Sequence, residues 1–94
     1  MKLGKTDRAA EMETFLSVAQ AGSFSAAARE LGLTPSAISR IISRIEKRLG
    51  VRLMVRSTRS LRLTSEGESY ALAASRIIKD LDDTEATIAN RGSP

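Results

Sequence analysis

The 94-residue sequence contains no histidine, no cysteine and no tryptophan. Without cysteine there is no disulfide, and without cysteine and histidine the common zinc-ligand sets are excluded. The same absences remove the usual general base near neutral pH, the thiolate nucleophile and the Ser-His pair, leaving only carboxylate, lysine or serine chemistry. Aromatics number three, Phe15, Phe24 and Tyr70, too few for ranks of base-stacking rings. No apolar run approaches the roughly 18 residues that cross a bilayer, and the opening MKLGKTDRAAEME is too charged for a signal peptide. The sequence therefore reads as a small, cytoplasmic, non-enzymatic single domain without cofactor or metal.

What is abundant is basic charge, unevenly spread. The chain holds 15 Lys and Arg against 11 Asp and Glu, a net +4. Residues 1–28 are balanced. Residues 29–62 carry Arg29, Arg40, Arg44, Lys47, Arg48, Arg52, Arg56, Arg59 and Arg62 against Glu30 and Glu46 only, whereas residues 63–94 are acidic on balance. A basic block within an apolar-patterned segment concentrates phosphates.

The spacing of Met12, Phe15, Leu16 and Ala19 predicts a helix over about Glu11 to Ala21, after a flexible extension of residues 1–10. Gly22 stops it, and Ser23 caps a short alanine-rich helix, Phe24 to Leu31, that Gly32 ends. Thr34-Pro35 starts a third helix running to Leu49, with Gly50 as its stop. Ile38, Ile41, Ile42, Ile45 and Leu49 mark its buried face; the opposite face carries Ser36, Arg40, Ser43 and Lys47, with Ser39 and Arg44 on the flanks. Next, VRLMVRSTRSLRLT alternates apolar with basic or hydroxyl residues about a Ser57–Ser60 turn, which predicts a hairpin of Arg52 to Val55 and Leu61 to Leu63. Thr64 or Ser65 caps a long fourth helix over residues 65–89, with Ser65 and Glu68 at capping-box spacing. In it Tyr70, Ala74, Ile77, Leu81, Thr84 and Ile88 form a heptad seam. Such a helix outruns a small domain, so its distal half either meets its own copy or folds back on the core. Residues 90–94 read as the opening of a linker or the end of a fragment. The expected core is Phe15, Leu16, Leu31, Ile38, Ile42, Ile45, Leu49, Leu53 and Leu61.

Three helices, a basic two-stranded wing and a long helix make a mainly α winged helix-turn-helix, residues 11–64, followed by a linker helix. An α-helix fits the major groove, and a basic hairpin beside it reaches the backbone or minor groove. Arg40 is the best base reader, its fork matching guanine O6 and N7, unless it meets a phosphate instead. Ser36, Ser39 and Ser43 are base or phosphate donors or merely small exposed residues. Ser23, Ser25 and Thr34 are phosphate holders or plain caps. In the wing, Arg56, Ser57, Thr58, Arg59 and Arg62 straddle a phosphate or enter a narrow minor groove. Arg44, with Lys47, Arg48 and Arg52, adds mainly to the nonspecific field or pairs with Glu46. Glu66 with Glu68, and Asp80 with Asp82 and Asp83, sit on an exposed helix without a crevice, which argues against carboxylate catalysis. A protein-binding module pairing through the last helix is the principal alternative, with RNA binding behind it.

Residues 13–67 carry a longer pattern: AGSFSAAAREL in the helix-turn segment, TPSAISR at the recognition helix, IEKRLG at its end, an Arg-x-x-Arg wing and LT-x-x-G opening the last helix. This stretch resembles the N-terminal domain of LysR-type bacterial transcriptional regulators. Met54 stands where the family commonly has Phe, and Thr34-Pro35-Ser36 where it commonly has Ser-Gln-Pro, so position 35 lacks the family's amide. The resemblance implies double-stranded DNA as partner, a dimer or tetramer paired through the linker helix, and base or phosphate contacts from Ser36, Ser39, Arg40 and Ser43, with Pro35 standing at a position where the family has a further contact. It also implies a small-molecule effector bound by a further C-terminal domain outside these residues, leaving this chain as the DNA-binding fragment of a longer regulator, at the nucleoid when bound.

Overall fold

A computed structural model describes residues 8–57 and 60–92. The order is α1 (Arg8–Ala21), α2 (Phe24–Leu31), α3 (Pro35–Leu49), β1 (Met54–Arg56), β2 (Leu61–Leu63) and α4 (Ser65–Arg91). The winged helix-turn-helix and the long last helix are as the pattern predicts.

Local chemistry sets the bounds of the middle helices. The Ser23 side chain accepts from the Ala26 amide and the Thr34 side chain from that of Ala37, so each hydroxyl oxygen satisfies an orphan donor of a helix start. Gly32 and Gly50 close α2 and α3 at φ 68° and 74°, left-handed values that glycine adopts without a Cβ penalty. Both helices have the predicted bounds.

α1 differs in two ways. It begins by Arg8, so residues 8–10, expected in the extension, form its first turn. Its buried face is Glu11, Thr14, Phe15 and Val18, whereas Met12, Leu16 and Ala19 of the expected stripe are only half-buried. The helix is rotated because two arginines of α3 receive Glu11, and because Thr14 satisfies its hydroxyl on the Ala10 carbonyl at 2.9 Å. Polar side chains with partners can share a buried face.

The core gathers Phe15 and Val18 of α1, Ala27 and Ala28 of α2, Ile38, Ile42 and Ile45 of α3, and Leu53 and Met54 before the wing. The small alanines let α2 cross close to its neighbours. Leu31 and Leu49, expected inside, are exposed: each is the last residue of its helix, where the chain turns away at a glycine.

β1 and β2 pair antiparallel, with Met54 opposite Leu63, Val55 opposite Arg62 and Arg56 opposite Leu61. β1 begins two residues later than predicted. The Leu53 and Met54 amides both donate to Glu46 Oε2, at 2.8 and 3.2 Å, and the Arg52 carbonyl accepts from Thr64 Oγ1 at 2.7 Å. The backbone there is thus committed to side chains rather than to a ladder.

α4 is capped by Thr64, whose side chain accepts from the Gly67 amide, so the Ser65–Glu68 box does not form and Ser65 Oγ instead donates to Glu66 Oε1 at 3.2 Å. The helix runs two residues past the predicted end, to Arg91. Its expected seam is divided. Ala74 is fully buried, and Tyr70 packs edge-on against Phe15 with ring centroids 4.9 Å apart. Ile77, Leu81, Thr84 and Ile88 are exposed. From Lys79 to Gly92 every residue is exposed, which stretches the molecule to 53 Å by 28 Å by 24 Å.

Candidate nucleic-acid interface

The outer face of α3 presents Ser36, Arg40, Ser43 and Lys47, all exposed, directly after the Thr34-Pro35 start. Ser39 is half-buried on one flank, and Arg44 is exposed on the other. Pro35 at the first helical position leaves the helix beginning open, since proline carries no amide that needs a partner. The wing stands beside this face, and a cleft lined by Phe24, Ser39, Ser43 and Arg56 among others separates the two.

Arg56 does more than the alternating pattern indicates. Its guanidinium lies over the Phe24 ring, 4.2 Å from the centroid, and donates to Ser39 Oγ at 3.1 Å. A planar cation stacked on an aromatic face holds its donors in a fixed plane. One side chain of β1 thereby ties together the wing, the start of α2 and the recognition face of α3. Phe24 as a platform for an arginine has no signal in sequence periodicity.

At the wing turn, the Ser57 amide donates to the Ser60 carbonyl at 2.9 Å, and the Ser60 amide to Ser57 Oγ at 3.2 Å. Thr58 and Arg59 lie outside the described residues. Arg62 is exposed on β2, opposite Val55. Ser23 and Thr34 serve as caps, and Ser25 is exposed in the first turn of α2.

Three further arginines, Arg44, Arg48 and Arg52, lie beside acids. Arg44 and Arg48 both reach Glu11, at 3.3 and 2.6 Å. The expected partner Glu46 is taken chiefly by the two wing amides, with Arg52 3.9 Å away and largely exposed. Tyr70 lies close to this cluster: burial pushes its phenol above the ordinary value, Arg48 opposes the shift and Glu11 adds to it. Further along α4, Lys79 and Asp83 pair at 2.7 Å one turn apart, and this hydrogen bond raises the lysine's pKa. Both are exposed, so the pair adds little to stability. No helix among the described residues is long and apolar enough to cross a membrane.

Comparison with known proteins agrees with this geometry. CrgA, an HTH-type transcriptional regulator of Neisseria meningitidis, is 45% identical over 75 residues, 80% of this chain and 25% of that protein. An HTH-type transcriptional repressor of Pseudomonas aeruginosa is 43% identical over 82 residues, 87% of this chain and 26% of its own length. The chain thus spans about a quarter of the curated relatives it matches. Among solved structures, a complex of the BenM DBD with catB site 1 DNA superposes with a TM-score of 0.89 at 25% identity, covering 93% of this chain and 97% of that one. A CbnR DBD–DNA complex does so with a TM-score of 0.85 at 29% identity, covering 92% and 99%. The family model for bacterial regulatory helix-turn-helix proteins of the lysR family matches residues 9–68, from the first turn of α1 to the first turn of α4. By that match over most of its length, and by relatives of this identity, the chain belongs to the lysR family of bacterial regulatory helix-turn-helix proteins.

Proposed function

We propose that this chain is the sequence-specific double-stranded DNA-binding domain of a LysR-type transcriptional regulator. The observation that carries the reading is the exposed α3 face of Ser36, Arg40, Ser43 and Lys47 beside a basic wing, in a fold shared with two domains solved on DNA. In this reading α3 lies in the major groove with Arg40 reading a base. Ser36, Ser39 and Ser43, with Pro35 bringing the backbone close, add base or phosphate contacts. The starts of α2 and α3, at Ser23, Ser25 and Thr34, face phosphates, where aligned amides favour an anion. Arg56, Ser57, Thr58, Arg59 and Arg62 place the wing on the backbone or minor groove, while Arg44, paired with Glu11, lies in the surrounding field without a phosphate contact of its own.

The exposed half of α4 supports a dimer. Ile77, Leu81 and Ile88 leave apolar surface on four solvent-exposed turns, and Thr84 lies on the same seam. Pairing two copies there sets two α3 helices against the half-sites of an imperfect palindrome. Residues 1–7 then precede the domain, α4 links it, and the residues after Arg91 lead on. In the longer cytoplasmic regulator, a small-molecule effector binds a further domain, and dimers assemble into tetramers.

The test is a salt titration of duplex binding. Affinity is expected to fall linearly on a log–log plot with a slope of several units, roughly 0.9 per phosphate neutralised. Salt-insensitive binding to a protein partner would favour the protein-binding alternative. On a half-site selected from a random duplex pool, Arg40→Ala is expected to reduce discrimination roughly tenfold. An equal loss on matched and scrambled duplexes would remove its reading role. Sedimentation of the domain at tens of micromolar is expected to show a dimer that Leu81→Asp converts to monomer. A wild-type monomer under those conditions would contradict pairing through α4.

A further inference from the structure

Among the described residues, Glu11 is the one charged side chain that is buried, and the proposed DNA contacts make no use of it. Its two oxygens are divided between two arginines of α3: Oε1 accepts from Arg48 at 2.6 Å and Oε2 from Arg44 at 3.3 Å. The exposures are lopsided, with the acid's side chain 7% exposed and those of Arg44 and Arg48 61% and 36%. Glu11 therefore has little water to fall back on and depends on the two arginines for its partners. A buried ion pair is a poor way to gain stability, because an apolar side chain in the same place avoids the desolvation cost. A carboxylate here calls for a role besides packing.

The helix it neutralises supplies that role. Arg44 follows Arg40 by one turn, and Arg40 and Lys47 stand on the exposed face of the same helix. Unrestrained, Arg44 would be one more mobile cation beside the groove, attracted equally to every sequence, since phosphate contacts carry no sequence information. We infer that Glu11 limits sequence-independent binding by holding Arg44, and with it Arg48, off the phosphates, so that affinity for every duplex stays below what the basic charge of α3 would otherwise give. The inference rests on the DNA-binding reading above. Glu11 is a positioning residue: it touches no nucleic acid and acts through α3.

The experiment measures affinity against salt for a random-sequence duplex and for the wild-type protein's selected duplex, using the intact chain and the Glu11→Gln, Arg44→Gln and doubly substituted variants. Glu11→Gln is expected to bind the random duplex roughly tenfold more tightly at low salt, with a slope steeper by about one unit. Affinity for the selected duplex rises by a similar factor, because a phosphate contact is indifferent to sequence. Adding Arg44→Gln reverses the gain, while Arg44→Gln alone changes the random-duplex slope by less than about half a unit. A purely structural Glu11 would lower the melting temperature without moving the slope, and that result overturns the inference. If Glu11→Gln does not fold, Arg44→Gln decides. A full unit lost with Glu11 in place means Arg44 already sits on a phosphate, and the inference fails. Wild-type protein without salt-dependent duplex binding would overturn the DNA-binding reading itself and this inference with it; a slope unmoved by Glu11→Gln on a protein that does bind overturns this inference alone.

Discussion

Replacing Glu46 by alanine is expected to lower stability by about 3 kcal/mol, because it strands two amides at once, each worth about 1–3 kcal/mol when left without a partner. Leu53 and Met54 are buried, and their N–H groups both end on Glu46 Oε2. No neighbouring strand takes these donors, since the ladder with β2 begins only at Met54 and runs outward. Arg52, 3.9 Å from the same oxygen and largely exposed, contributes little to the loss. Aspartate is too short to reach from α3, so Glu46→Asp should resemble the alanine variant. Glu46→Gln keeps an accepting oxygen and should lose less than half as much. For a domain of this size the alanine variant should melt roughly 15 °C lower. A fall of only a few degrees would mean that water reaches the two amides, and that Glu46 is not what shapes the approach to the wing.

That a glutamate inside the basic block ends up bonded to two backbone amides shows where sequence pattern stops. Ser23 and Gly32 around α2, and Thr34-Pro35 and Gly50 around α3, act within their own turn, so residue type alone carries the helix bounds. The α3 face bearing Arg40 is legible for a similar reason: three isoleucines on one side leave only one direction for the polar residues. Glu11 defeats the same logic in α1. Periodicity assumes that an acid faces water, and the stripe shifts once two arginines from a helix more than thirty residues away receive it. Arg56 is placed in the wing correctly by alternation, but its seat over Phe24 depends on how α2 lies against β1, which no local spacing encodes. Tyr70 and Ala74 share the heptad of Leu81 and Ile88, yet the core takes the first two and leaves the others exposed. A heptad records which residues share a face without recording what covers it.

The LT-x-x-G element at the start of α4 has its physical reason in the same junction. Gly67→Ala is expected to destabilise the domain by about 2 kcal/mol, against the usual gain of about 1 kcal/mol when glycine in a helix becomes alanine. A Cβ at Gly67 would run into the carbonyl oxygen of Leu53, with the Leu53 carbonyl carbon and Cα close behind. Unlike the tip of a flexible side chain, that carbonyl cannot turn away. It accepts the Thr64 amide at 3.0 Å, while the Leu53 amide is tied to Glu46 and the preceding carbonyl to Thr64 Oγ1. The start of α4 must then back off as a unit. Since Tyr70 lies one turn further on, its edge contact with Phe15 and the packing of Ala74 move with it. The variant should therefore melt lower and lose the near-ultraviolet signal of Tyr70, while α2 and α3, capped by their own residues, retain amide protection. A variant as stable as the parent would mean that α4 does not rest directly on Leu53, and the small residue in LT-x-x-G would then need another explanation.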